Sequence, residues 1–327
     1  MKAAGAAAAA LVMLMASRGG EPAQDNAAVV HEYADVNGVR LHYARTGTGP
    51  LIVFVHGFPE FWYEWTHQLA EFGKDHLAVA PDMRGYNLSS KPTALDDYQI
   101  PKLVEDLRGL TSGLLKTSGR TKFTLVAHDW GGVVAWVFAA QHPEMLDNLV
   151  IVNAPHPTIF GRLLRDDPDQ QKASQYMLMF RSAAAEATLS QNNYEALVTA
   201  VLGGGLASGT TTEQDKKEYL AAWSQPGALT GGLNYYRAAQ IGPPAPAPGA
   251  VPSQEAALAA APPMVVRVPT LVIWGEKDTA LLTSNLNGLD QVVPKLTVKR
   301  IPDGTHWVVR ENAPEVNRLI REYLAQP

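Results

Sequence analysis

Short, unbroken apolar runs recur along this chain, set among longer stretches with the three-to-four-residue period of helices. Leu51-Ile-Val-Phe-Val is the first, and residues 77–80, 123–127, 149–152 and 271–274 repeat the pattern. A strand reads this way when both faces of its sheet are covered, as in parallel sheets. Residues 296–301 form a last, more alternating run. Ahead of them, alternation begins at Val29, and residues 39–44 can pair with the preceding segment across Asn37-Gly38. That dipeptide is a two-residue hairpin signal. Helical periodicity fills the intervals at 61–72, 100–117, 132–141 and 313–324. Strand and helix in alternation predict an α/β fold with a mostly parallel, doubly wound sheet.

One interval breaks the rhythm. Between His156 and Val266 no strand-like run occurs, and helical segments are expected at 169–182, 186–201, 214–223 and 229–240. The loop Gly242-Pro-Pro-Ala-Pro-Ala-Pro-Gly-Ala-Val-Pro-Ser holds five prolines in twelve residues and cannot be helical. An all-helical block inserted between two core strands suits a cap over the strand ends. The expected organisation is a core of residues 28–155 and 267–327 with a helical cap at 156–266.

Composition changes this picture only at the N-terminus. The 327 residues are 46% hydrophobic and 18% charged, as in ordinary globular proteins. A net charge of −5 leaves no basic footprint for nucleic acid. The absence of cysteine excludes disulfides, thiolate metal sites and a cysteine nucleophile. Lys2 precedes an apolar, alanine-rich run to Ala16, followed by a polar stretch. One positive charge ahead of such a run fits a secretory signal peptide. It is shorter than the ~20 residues needed to span a bilayer. Residues 1–24 are therefore expected to be a signal peptide and polar leader, and the protein to be exported and free of membrane after cleavage.

The chemistry concentrates in Val126-Ala-His-Asp-Trp-Gly-Gly132. Ala127 and Gly131 flank Asp129 two residues to either side, which lets a strand turn sharply into a helix with the aspartate at the apex. This is the steric logic of the nucleophile elbow, where serine is the usual occupant. A carboxylate there attacks saturated carbon and forms an alkyl-enzyme ester. Strained rings and carbons bearing leaving groups are its natural substrates.

Hydrolysis of such an ester needs a base, a group to orient the base, and donors for an oxyanion. Of nine histidines, His306 best fits the base, because it lies past a strand end in Asp303-Gly-Thr-His-Trp and follows both candidate acids. His31, His42, His67, His76 and His142 fall outside the cleft loops. His56 and His128 precede turns and shape backbone, and His156 belongs to the hinge into the cap. Asp278, in Gly275-Glu-Lys-Asp, is the expected orienting acid, with Glu276 as its competitor; after the strand at 149–152 stands Asn153, not a carboxylate. The turn His56-Gly-Phe-Pro-Glu60 aims the amide of Phe58 into the cleft, to join the amide of Trp130 as an oxyanion hole.

These motifs, with Pro81-Asp-Met-Arg-Gly85, Asn153-Ala-Pro-His-Pro157 and Gly304-Thr-His-Trp307, resemble the epoxide hydrolase branch of the α/β-hydrolase superfamily over nearly the whole length after the signal segment. The resemblance implies a largely parallel sheet with a helical cap, Asp129 as nucleophile, and His306 with Asp278 as the water-activating pair. It also implies two cap tyrosines that bind the epoxide oxygen. Leu233-Asn-Tyr-Tyr-Arg237 assigns one of these roles to Tyr236, and Gln175-Tyr-Met-Leu-Met-Phe180 assigns the other to Tyr176, with Gln175 where aspartate is common. Phe58, Trp130 and Phe180 are the expected substrate-binding residues; Met177, Met179, Phe180 and Trp223 suggest an apolar pocket and, equally, helix packing. No metal or organic cofactor is implied, and the expected partner is a small epoxide. A dehalogenase shares the elbow and the histidine–acid pair, but Phe58 offers no side-chain donor to halide and no arginine follows Asp129 to clamp a carboxylate. A non-catalytic exported binding protein on the same fold is the alternative from another class.

Overall fold

The computed structural model describes residues 28–244 and 263–326. The expected leader, and most of the proline-rich loop, lie outside the described residues. Eight strands form one sheet in the order β1-β2-β4-β3-β5-β6-β7-β8. The strands are β1 Val30–Val36, β2 Val39–Thr46, β3 Leu51–Val55, β4 Leu77–Pro81, β5 Phe123–His128, β6 Leu146–Val152, β7 Thr270–Gly275 and β8 Leu296–Ile301. β1 and β2 are antiparallel to their neighbours, and β3 to β8 run parallel. The hairpin turns through Asn37 and Gly38, both at positive φ (49° and 78°), as a two-residue turn of primed type requires.

The apolar runs are explained by burial on both faces. Val53, Val55, Leu125, Ala127 and Ile151 face one core, while Ile52, Phe54, Val126, Val150 and Val152 face the other. Helices α2 (Ile100–Ser118) and α3 (Asp129–Gln141) cover the first face. α1 (Thr66–Phe72) and the terminal α11 (Ala313–Leu324) cover the second. Expected and observed elements differ mainly at their ends. The helix expected from Phe61 begins as a 3₁₀ turn, Trp62–Trp65, before α1.

Between β6 and β7 the described chain is helical: α4 Pro157–Asp166, α5 Pro168–Ala173, α6 Tyr176–Arg181, α7 Ala185–Leu197, α8 Gly203–Ser208, α9 Glu213–Trp223 and α10 Ala228–Ala239. The helix expected over 169–182 is thus two. Ser174 leaves helical geometry, and its buried Oγ accepts a hydrogen bond from Nε2 of Gln170 at 2.9 Å. The one expected over 186–201 is also interrupted. Asn192, Asn193 and Tyr194 sit at φ 48°, 55° and 63°, and a π-helical turn, Val198–Leu202, follows. Asparagine tolerates this left-handed region, which hides the break from a periodicity argument. The helical segment is bound to the core by Trp223 Nε1 donating to the carbonyl of Pro59 (2.7 Å) and Tyr235 Oη donating to that of Arg84 (2.8 Å). Among the described residues no helix is long and apolar enough to cross a membrane.

Candidate active site

The C-terminal ends of β3, β5, β6, β7 and β8 converge, as ligand-binding ends do in open parallel sheets. β5 runs directly into α3, and Asp129 at the junction has φ 48°, a strained value for a non-glycine residue. The strain is held by close packing around the turn. A Cβ on Gly131 would lie 2.3 Å from the carbonyl oxygen of Val55. A Cβ on Gly57 would lie 2.3 Å from both Cβ and Oδ1 of Asp129, so both glycines allow the β3 loop to meet the elbow.

The aspartate is fixed on two sides. The amide of Phe58 donates to Oδ1 at 2.8 Å, and Nε2 of His306 lies 3.6 Å from Oδ2. The Phe58–Pro59 peptide is cis. On its other edge His306 uses Nδ1 to hold Oδ2 of Asp278 at 2.7 Å. Asp278 is saturated: Asn153 Nδ2 donates to the same oxygen (2.8 Å), and the amides of Ala280 and Leu281 donate to Oδ1 (2.8 and 2.9 Å). Burial works against its charge, yet His306 and these donors hold its carboxyl below the usual carboxylate range. Asn153, at the end of β6, is therefore a second anchor for the acid that β7 supplies. Burial also opposes a charge on His306, but the carboxylates of Asp278 and Asp129 outweigh it and push the imidazole up to about 9.

Across from the aspartate stands an aromatic wall from the helical segment. Tyr236 meets Trp130, Phe58 and Phe180 at ring-centre distances of 5.1, 5.5 and 5.0 Å. Tyr176 lies 6.4 Å from Tyr236 and 5.2 Å from Phe180. Burial, and then the charge of Asp129, push both phenols well above their ordinary range, so they keep their protons. Asp129, His306, Asp278, Phe58, Trp130, Phe180, Tyr176 and Tyr236 thus lie in one cluster, while Trp223 packs on Tyr194 and Tyr219. Tyr235 does not take part, because its hydroxyl is spent on Arg84.

Other residues at the site had no expected part in the chemistry. His128 Nε2 contacts the carbonyl of His306 at 2.9 Å, and its ring lies 4.7 Å from that of His306. Behind it are the buried carboxyls of Glu60 and Glu64 with the Arg310 guanidinium, 3.2 Å from Glu60. Tyr219 donates to Glu60 as well. Tyr86 buries a phenol with no hydrogen-bond partner, within the field of Asp129. The presence of Glu60 in a motif was visible; the convergence of Glu64, Arg310 and Tyr86 from distant loops was not.

Known proteins share this architecture. Residues 50–313 match the family model described as the alpha/beta hydrolase fold. The chain is 37% identical over 299 residues to the AB hydrolase superfamily protein YfhM of Bacillus subtilis, covering 90% of this chain and 97% of that one. It is 35% identical to Epoxide hydrolase 3 of Xenopus tropicalis, over 89% of this chain and 76% of that protein. Among solved structures, the crystal structure of Bacillus megaterium epoxide hydrolase in complex with an inhibitor matches with a TM-score of 0.82 at 37% identity, covering 90% of this chain and all of that one. An aspartate elbow, a histidine–carboxylate pair and two phenols facing it, one buried and one half-buried, together with these likenesses, mean that the chain belongs to the epoxide hydrolase family of the α/β-hydrolase superfamily.

Proposed function

We propose that the enzyme converts an epoxide and water to a vicinal diol through a covalent ester on Asp129. The observation that carries this reading is the placement of one carboxylate between a histidine–aspartate pair and two protonated phenols. Oδ2 of Asp129 attacks an epoxide carbon, and the C–O bond breaks toward Tyr176 and Tyr236. A ring opening to alkoxide needs a proton or strong hydrogen bonds, which neutral phenols provide. The helical segment acts as a cap that delivers these phenols and excludes bulk water.

The second half is hydrolysis. Neutral His306 removes a proton from water, which attacks the ester carbonyl while Asp278 stabilises the imidazolium. The Phe58 amide already hydrogen-bonds Oδ1, the oxygen that becomes the oxyanion, and the Trp130 amide is the second donor. Alkylation also prepares the base. It removes the negative charge of Asp129, one of the groups that hold the proton on His306.

Phe58, Trp130 and Phe180 form the apolar walls of the pocket and favour substrates with an aryl or bulky alkyl group. The test is a panel of aryl and alkyl epoxides against haloalkanes and fluoroacetate. Diol from the epoxides, with no halide released, supports the reading; halide release without diol overturns it. We also propose export, on the strength of Lys2 and the apolar run behind it. Mass spectrometry of the natively expressed protein tests this: loss of roughly two dozen N-terminal residues supports it, and an intact Met1 terminus overturns it.

A further inference from the structure

Glu64 has no part in the scheme above, yet it is buried between the loops that the scheme uses. It stands in the 3₁₀ turn after β3 and is 1% exposed. Its Oε1 lies 2.5 Å from Nδ1 of His128, the residue before the nucleophile. His128 in turn contacts the backbone carbonyl of His306 through Nε2 at 2.9 Å, in the tautomer where Nε2 carries the hydrogen. The Gly57 backbone, next to the oxyanion donor Phe58, also lies against the Glu64 carboxyl. One carboxyl is thus braced against the three loops that carry Phe58, Asp129 and His306.

We propose that Glu64 is a positioning residue for the hydrolytic half-reaction, seating His128 so that its Nε2–H holds the His306 main chain while Asp278 holds the His306 ring. The base is then fixed at two points, its backbone carbonyl and its Nδ1. With Nε2–H committed to that carbonyl, Nδ1 of His128 is an acceptor and needs a donor. Nδ1 has no hydrogen-bond partner as placed, and a protonated Glu64, whose Oε1 is 2.5 Å away, is the group positioned to supply one. Burial pushes the carboxyl up, against Arg310, and pushes His128 down, so the pair is neutral with its proton on the carboxyl. Oε2 of Glu64 has no hydrogen-bond partner in the structure, so the carboxyl has no other commitment through that oxygen. Without Glu64 the His128 ring can turn over, and the carbonyl of His306 loses its donor. The loss falls on water activation, because the direct contacts of Asp129, Tyr176 and Tyr236 with substrate do not involve this pair.

The inference rests on the ester mechanism proposed above, and its test separates the two. Single-turnover mixing with an epoxide, quenched and read by intact-protein mass spectrometry, gives the rates of ester formation and decay. Glu64→Met fills the same volume without a donor, and Glu64→Gln restores one. The expected result is ester decay slowed about ten- to a hundredfold in Glu64→Met, the size of effect that a small misplacement of a catalytic group produces. Ester formation should change little, kcat and KM should fall together, and Glu64→Gln should decay at close to the wild-type rate. Wild-type decay in Glu64→Met, an equal loss in both half-reactions, or a Glu64→Gln as slow as Glu64→Met overturns the role. Absence of ester in the wild type overturns the mechanism itself and the inference with it.

Discussion

The imidazole of His306 faces the carboxylate of Asp129 across 3.6 Å, close enough for each to set the charge of the other. In the free enzyme burial opposes the imidazolium, but Asp278 and Asp129 outweigh it, so His306 is protonated up to about pH 9. Removing the Asp129 charge must lower that value. NMR titration of Asp129→Asn should show His306 titrating below its position in the wild type. An unchanged or higher value contradicts the coupling. The sign carries into turnover: where ester hydrolysis limits kcat, activity falls as pH drops through the pKa of His306 in the ester, which lies below the free-enzyme value.

Tyr236 and Tyr176 are expected to act in the first half-reaction only. Tyr236→Phe should slow ester formation about a hundredfold, within the range typical of a lost general acid. Decay of the ester should remain near the wild-type rate. Rapid-quench measurement of the two phases checks this, and a selective loss of the decay rate contradicts it.

Gly57 leaves no room for a side chain against Asp129. Gly57→Ala should therefore displace the elbow or the Phe58 loop and lower kcat/KM about a hundredfold or more. Wild-type kinetics in this variant would contradict the packing described for the loop.

Arg310 compensates Glu60 in the interior. Breaking a buried ion pair from one side costs about 3–5 kcal/mol, less where the remaining group can neutralise. Burial already pushes Glu60 up to about 7, and loss of Arg310 pushes it further. A carboxyl whose folded pKa is raised binds a proton more tightly when folded, so stability falls as pH rises from the ordinary carboxyl range through the folded value. Arg310→Met should thus lose more stability at pH 8 than at pH 5. Denaturant unfolding at the two pH values measures this, and an equal or reversed loss contradicts it.

The sheet was legible because its strands are buried on both faces and announce themselves as apolar runs. The elbow and its partners were legible because glycines and a proline mark backbone that only certain turns permit. The breaks in the intervening helices were not, since Asn192 and Asn193 adopt left-handed geometry without a glycine or proline to signal it. Nor was the second support of His306. Glu64, His128 and Arg310 are far apart in sequence, and only the converging strand ends bring them together.

The central claim is that Asp129, not water, forms the first bond to the epoxide carbon. A single turnover with excess enzyme in heavy-oxygen water tests it most directly, with mass spectrometry of both the diol and the peptide that contains Asp129. The account predicts the label in the Asp129 carboxyl and unlabelled diol. Label in the diol, with an unlabelled Asp129, would contradict it.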